Sequence, residues 1–313
     1  MSGPVNCRLT DPGRGVALET TLLCHGVPAD RALPLFDELD AAVRQAGGVP
    51  ALVGVLAGAA TVGLSREELA SMLACGPVRK VNTANLGLAM HAGAHAATTV
   101  SATMELAAEA GVRVFATGGI GGVHRGLAEH FDVSADLAAL ARFPVAVVTS
   151  GVKSLLDVAA TREALETLGV PVVGYQTERF PAFYLRDGGI GVDERIDDID
   201  TLASLVSFEL ARSGRGMVIA NPIACEDAIE PAEWSSYLDE AMSRVGDVSG
   251  RDVTPRVLDA LHTVSGGRTL RANIALVRSN AALAGAIAAR LQPTTVTPKA
   301  MAPPGFEPGT ERL

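Results

Sequence analysis

A few residues of this chain carry chemistry, and most of them stand where a β-prone run gives way to something else. Lys153 lies in "VVTSGVKSLLD", read as the junction between a strand and a helix. A lysine at a helix N-terminus opposes the macrodipole and does nothing for stability there. The same place suits an amine held with a depressed pKa as a nucleophile. Glu19 interrupts the apolar, alternating run "VALETTLL". Two readings stand for it: a strand with one face in water, or a carboxyl that lines a cleft and moves protons, because an unpaired buried charge is costly. Lys80, in "RKVNTANLG", follows another β-prone run and by itself reads as a solvated side chain.

Two loops add to these. "FDVSADL" places Asp132, Ser134 and Asp136 within five residues at the mouth of a helix. That spacing gives ordinary helix capping or a hard-oxygen site for Mg²⁺ or Mn²⁺. "ATGGIGGVHRG" at 116–126 carries Gly118, Gly119, Gly121, Gly122 and Gly126 after a strand. It is neither GxGxxG, since His124 takes the place of the third glycine, nor a Walker A loop. A structural turn and a phosphate or sugar loop both remain open.

Positioning these residues requires an α/β layer. Helical patterns such as "LPLFDELDAAVRQAGG" and "SREELASMLAC" alternate with short β-branched runs. "ALVGVLAGAATVGL" reads as two short strands around a small-residue turn. From about 97 to 177 a βαβαβαβ succession runs with minimal loops, which predicts a mostly parallel sheet with helices on its faces. Ligands of such sheets sit beyond the carboxyl ends of the strands, so the loops at 117–134, 149–154 and 175–183 form one predicted rim. The chain is read as one α/β domain over 1–291, followed by a disordered, proline-rich tail over 292–313. The tail's "GFEP" matches the translation of a transfer-RNA T-arm, which suggests that the reading frame runs into a tRNA gene.

Composition excludes several classes. A formal net charge of -9 without a basic run disfavours polyanionic nucleic acid and anionic membranes as partners, and 4% aromatics disfavours base-stacking modules. The four cysteines are far apart, which fits a reducing compartment better than a disulfide framework. Two stretches without formal charge, 45–65 and 81–104, are broken by Gly, Pro, Asn and His, so neither is expected to cross a membrane. With no apolar leader, the expectation is a cytoplasmic protein.

Taken together, "VALETTLLCHGVP", "GAHAATTVSATM", "FATGGIGGVHRG", "FDVSADL", "SGVKSLLD", "FPAFY", "ANPI" and "ANIALVRSNA" resemble, in the same order, the blocks of the pseudouridine-5'-phosphate glycosidase family, also described as indigoidine synthase A-like proteins. The resemblance spans nearly all of 14–290. It implies a three-layer α/β/α fold with a mostly parallel central sheet, one Mn²⁺ per subunit, a homotrimer, and reversible conversion of pseudouridine 5'-phosphate and water to uracil and ribose 5-phosphate. By motif it implies Lys153 as nucleophile, Glu19 as proton donor and Asp132 as metal ligand. Lys80, Val100, Ser134, Ala135 and Asp136 are implied as substrate contacts, with His124 and Asn273 as further pocket residues. The implied mechanism has the lysine attack C1' with opening of the sugar ring, the resulting iminium serving as electron sink for the departing uracil carbon. After Lys80 the family usually has Ser-Arg-Arg-Asp where this chain has "VNTAN". Two rival readings are a Schiff-base lyase or aldolase acting on another phosphosugar, and a sugar-phosphate or nucleotide-binding module without turnover.

Overall fold

The sheet begins with the segment that carries Glu19. In the computed structural model, which describes residues 5–76, 78–127, 131–245 and 253–291, strand β2 (Gly15–Glu19) ends on that carboxylate. The expected continuation of the strand through Leu22 is not what forms: helix α1 (Thr20–His25) starts at the next residue. The β-branched Thr20 does not prolong the ladder but turns its hydroxyl onto the carbonyl of Val53, at 2.9 Å. The freed edge of β3 (Val49–Leu56) is taken instead by β6 (Ala96–Thr98), antiparallel, through Gly54 and Val55.

The same β3 forms a hairpin with β4 (Ala59–Val62), around a turn whose Ala57 and Gly58 both have positive φ. Glycine accepts that conformation without strain. Strand β1 (Asn6–Cys7) lies outside β4, and β5 (Arg79–Val81) lies outside β6. In the other direction β2 pairs with β7 (Val114–Ala116), and then come β8 (Ala146–Thr149), β11 (Met217–Ala220), β9 (Val172–Tyr175) and β10 (Glu194–Ile196), all parallel. The order is β1-β4-β3-β2-β7-β8-β11-β9-β10, with β5 and β6 branching from β3. The sequence places β6, β7, β8 and β9 as successive elements, but only β7 and β8 of them are direct neighbours. β2 stands beside β7, and β11 is inserted between β8 and β9.

Every residue of β7, β8 and β11 is buried, as expected for parallel strands covered on both faces. One apolar layer contains Leu35, Leu39 and Val43 of α2 (Ala29–Gln45), Leu202 and Val206 of α8 (Ile199–Ser213), Trp234 of α9 (Pro231–Val245), Leu261 of α10 (Val253–Val264) and Leu276 of α11 (Arg268–Ala288). The opposite layer contains Leu86 and Ala89 of α4 (Leu86–His91), Met104 and Leu106 of α5 (Val100–Glu109), Leu137 and Leu140 of α6 (Ala135–Arg142), and Leu165 of α7 (Val158–Thr167). The three-layer α/β/α architecture follows. Helix α3 (Arg66–Ala74) begins with a full capping box, Ser65 and Glu68 bonding each other's backbone N–H. The tail over 292–313, with its tRNA-like "GFEP", lies outside the described residues. Among those residues no helix is long and apolar enough to cross a membrane.

Candidate active site

Glu19, Lys80 and Lys153 meet in one cleft of about 250 Å³ at the carboxyl ends of the strands. The first comes from the end of β2. The second comes from β5, which reaches the cleft because β6 holds it beside β3. The third follows β8, in a stretch where Val152 bridges Ile120 and the Lys153 N–H donates to the Ile120 carbonyl at 3.1 Å. Its position corrects the expected one: the helix begins only at Val158, capped by Asp157, whose carboxylate accepts from the Ala160 N–H at 2.9 Å. Lys153 therefore stands before a tight turn, not in a helix N-terminus, and the dipole argument does not apply to it.

The electrostatics of the cleft are set by enclosure and by the two amines. Burial pushes the Glu19 carboxyl above its ordinary value. The nearby charge of Lys153, the hydroxyl of Thr117, 2.5 Å from Glu19 Oε1, and Lys80 all pull it down, while Asp136 adds to the rise. Lys80 emerges at the lip, and burial together with the Lys153 charge lowers its pKa, against the attraction of Glu19 and Asp136. His25, also on the cleft wall, is held toward its neutral form by burial and by Lys80. A carboxyl whose affinity for its proton is raised by burial, beside amines, is equipped for proton transfer next to nucleophilic attack.

The far wall is aromatic. Phe183 and Tyr184 meet edge to face at 4.7 Å, and Tyr184 packs on Trp234 at 5.3 Å. Phe183 has φ +60, an unusual conformation for a bulky residue, and its N–H donates to the Ser150 carbonyl at 2.8 Å. Gly119 makes room for it, since a Cβ there would lie 2.5 Å from the Phe183 ring. Two buried polar atoms of the lining, the Tyr184 hydroxyl and Asn273 Oδ1, have no hydrogen-bond partner among the described residues. Such atoms call for a ligand or water. Sequence reasoning singled out none of His25, Thr117, Tyr184 and Trp234: the first three lie inside quoted motif blocks, which were the available signal, and only the fold brings Trp234 beside the lysines.

The remaining expected residues are placed differently. Gly118 and Gly119 line the cleft, whereas Gly121 and Gly122 serve packing: a Cβ at Gly121 would lie 2.3 Å from Ser134 Oγ, and one at Gly122 2.2 Å from Thr161 Oγ1. Asp136 accepts from the Gly121 N–H at 2.8 Å and the Ser101 N–H at 3.0 Å, and Ser134 Oγ accepts from the Asp136 N–H at 3.2 Å. Ser134 and Asp136 thus brace the glycine loop, and Val100, Ser134, Ala135 and Asp136 are not among the lining residues. Asp132 is exposed, with His124 Nδ1 3.6 Å from its carboxylate, and neither residue lines the cleft. A larger cavity of about 520 Å³ lies at the amino ends of the strands, with Asp11, Arg14 and Arg113 as its charged lining and, among the described residues, no lysine on its wall.

The family model described as indigoidine synthase A like protein matches residues 6–290. The chain belongs to this family. It is 46% identical, over 95% of its length and 90% of the other's, to the pseudouridine-5'-phosphate glycosidase of Methylobacterium nodulans. Among solved structures it is similar to an indigoidine synthase A-like protein from Thermotoga maritima, with TM-score 0.85 and 37% identity over 93% of this chain and 97% of that one. It is also similar to the prealnumycin C-glycosynthase AlnA in complex with ribulose 5-phosphate, with TM-score 0.83 and 33% identity over 91% and 97%.

Proposed function

We propose that this chain cleaves the carbon–carbon glycosidic bond of pseudouridine 5'-phosphate, giving uracil and ribose 5-phosphate, reversibly. The observation that carries the reading is the convergence of Glu19, Lys80 and Lys153 on one aromatic-walled cleft, in a chain whose relatives bear that activity in their names. A C-nucleoside has no heteroatom leaving group at C1', so the usual pair of carboxylates is the wrong equipment. An amine solves the problem. Lys153 Nζ bonds to C1' and the C1'–O4' bond breaks, its electron pair leaving with the ring oxygen, which takes a proton. Uracil C5 then takes a proton, the C1'–C5 bond breaks toward the base, and the Lys153 nitrogen lone pair forms C1'=N. Water hydrolyses this imine to the sugar aldehyde and the free amine. Glu19, which burial helps to keep its proton, is the shuttle for these transfers. Lys80 contacts the phosphosugar as a cation, and Asn273 Oδ1 faces the base as an unsatisfied acceptor.

The metal reading rests on Asp132. Among the described residues no three or more His, Cys, Asp or Glu form a group that could cage an ion. One exposed carboxylate fits a hard cation that keeps most of its water, as Mg²⁺ does, and Mn²⁺ accepts the same oxygen ligands. Asp132 would hold such an ion, which would supply positive charge toward a phosphorylated substrate. We place the activity in the cytoplasm, where a phosphorylated nucleoside is retained, and in a homotrimer, a reading supported by the family resemblance and by the exposed apolar side chains of Leu88, Phe131 and Phe208.

Borohydride added during turnover tests the mechanism. The expected result is a reduced adduct with the mass of the sugar phosphate, mapped to Lys153, and neither adduct nor uracil from Lys153→Ala. An adduct mapped to Lys80 overturns the assignment of the nucleophile. Release of uracil without any adduct removes the covalent route.

A further inference from the structure

Among the described residues the proton donor of the proposed reaction is held neither by a local cap nor by an ion pair within 4 Å. Glu19 occupies the N-cap position of α1, yet its side chain makes no capping hydrogen bond there. It accepts instead from Thr117 Oγ1 at 2.5 Å, across 98 residues of sequence. Thr117 is 1% exposed and stands one residue beyond the carboxyl end of β7, where its own N–H donates to Val148 of β8 at 3.0 Å. Its carbonyl is gripped from the opposite layer by the side-chain amide of Asn280, at 2.7 Å. Asn280 belongs to α11 and is fully buried.

Asn280 is itself fixed on both ends. Its amide also approaches Ser150 Oγ at 3.2 Å, and its carbonyl accepts from the side chain of Asn221 at 2.9 Å. Ser150 donates in turn to the Asn221 backbone carbonyl at 2.9 Å, and the Asn221 amide donates to Ser279 Oγ at 3.0 Å. Thr117, Ser150 and Asn221 are the residues immediately after β7, β8 and β11, adjacent strands in register. One asparagine on a helix therefore ties three neighbouring strand ends together, and the outermost of them hands its hydroxyl to the carboxyl in the cleft. A closed network of this kind, with its members satisfied, rigidifies the groups it contains.

We infer that Thr117, fixed in place by Asn280, is the positioning residue for Glu19: it sets the direction of the carboxyl through a single donated hydrogen bond. The inference rests on the proposed role of Glu19 as proton shuttle. The charged groups acting on the carboxyl are Lys153 and Lys80, which favour its ionised form, and Asp136, which disfavours it. A donated hydrogen bond also favours the ionised form. Removing the donor therefore leaves burial less opposed, and Glu19 must titrate at higher pH.

The test is the pH profile of kcat for uracil release from pseudouridine 5'-phosphate by the full chain, for wild type, Thr117→Val, Thr117→Ser and Glu19→Gln. Thr117→Val keeps the buried shape and loses only the hydroxyl. The expected result is a fall in kcat of roughly tenfold or more with KM changed less than about twofold, because the group acts on proton transfer and not on ground-state binding. The limb that disappears in Glu19→Gln moves to higher pH in Thr117→Val and returns toward the wild-type position in Thr117→Ser. A lower kcat with an unmoved limb means that Thr117 is merely structural and overturns the inference, as does a wild-type profile. If Glu19→Gln retains full turnover and both limbs, the role of Glu19 falls, a result distinct from any outcome at Thr117.

Discussion

Asp136 accepts from two backbone N–H groups and is 5% exposed, whereas Glu19 accepts from one side-chain hydroxyl and borders a cleft. Both carboxylates act electrostatically on Lys80, so they belong to the same field. Their uses are opposite. Asp136 has spent each oxygen on the chain itself, joining the start of α5 to the glycine loop. Among the described residues no donor reaches the second oxygen of Glu19, and burial favours the protonated form. Enclosure near a lysine therefore does not make a carboxyl an acid catalyst. Spare bonding capacity facing a cavity does.

Exchanging each carboxyl for its amide breaks the comparison most sharply. Glu19→Gln is expected to lower turnover by about 10²-fold or more, the scale of lost acid–base help, with the folded protein and its substrate affinity kept. Asp136→Asn should do the reverse in kind: one carboxylate oxygen becomes an NH₂ group facing a backbone N–H, costing about 2–3 kcal/mol of stability through a lost charge-assisted bond. Denaturant titration and steady-state kinetics on both variants separate the two. Equal losses of turnover at undiminished stability in both would place Asp136 in the chemistry and dissolve the distinction.

The sequence made one side of this comparison readable and hid the other. A carboxyl in an apolar β-prone run posed the question at Glu19, and the order of motifs gave its family role. Of the two readings left open for "FDVSADL", capping is the one visible at Ser134, which accepts from the Asp136 N–H, because capping is local. The partners of Asp136, Ser101 and Gly121, lie 35 and 15 residues away, and no spacing rule exposes such pairs. The same holds for Thr117 and Asn280. Strands and helices were legible because their periodicity is local. The branching of β6 onto β3 was not, because it depends on which edge remains free after β2 ends. Lys153 was read one element too early: the apolar "SLL" mimics a helix start, but Asp157 supplies the cap and fixes the boundary.

A third carboxylate sharpens the comparison from the exposed side. Among the described residues no backbone N–H donates to the Asp132 side chain and Asp132 does not line the cleft, and we assign it to a water-rich metal ion. Asp132→Ala is expected to lose Mn²⁺ binding, read by calorimetric titration of the purified protein, together with the metal dependence of uracil release. Stability should change little, since surface substitutions away from special features stay within about 0.5 kcal/mol. Wild-type Mn²⁺ affinity in the variant would remove Asp132 from the metal site.

The smallest effect concerns the stability of the folded state against pH, and it isolates Glu19 from both aspartates. Because burial raises the folded pKa of Glu19 above the ordinary 4.5, the native protein binds that proton more tightly than the unfolded chain does. Stability then falls with rising pH wherever the native state holds more protons. The favourable contribution is complete below about pH 4.5, the unfolded value, and is lost as pH rises through the higher folded value. Glutamine has no proton to lose. The difference in Tm between Glu19→Gln and wild type should accordingly be near zero at the acid end and grow in favour of the variant toward neutral pH, flattening once Glu19 is ionised in both states. Every other carboxyl is common to the two proteins and cancels. A difference that shrinks or changes sign as pH rises would mean that Lys153, Lys80 and Thr117 together outweigh the cost of enclosure, and Glu19 would then be an ionised partner of the lysines and not a reservoir for their proton.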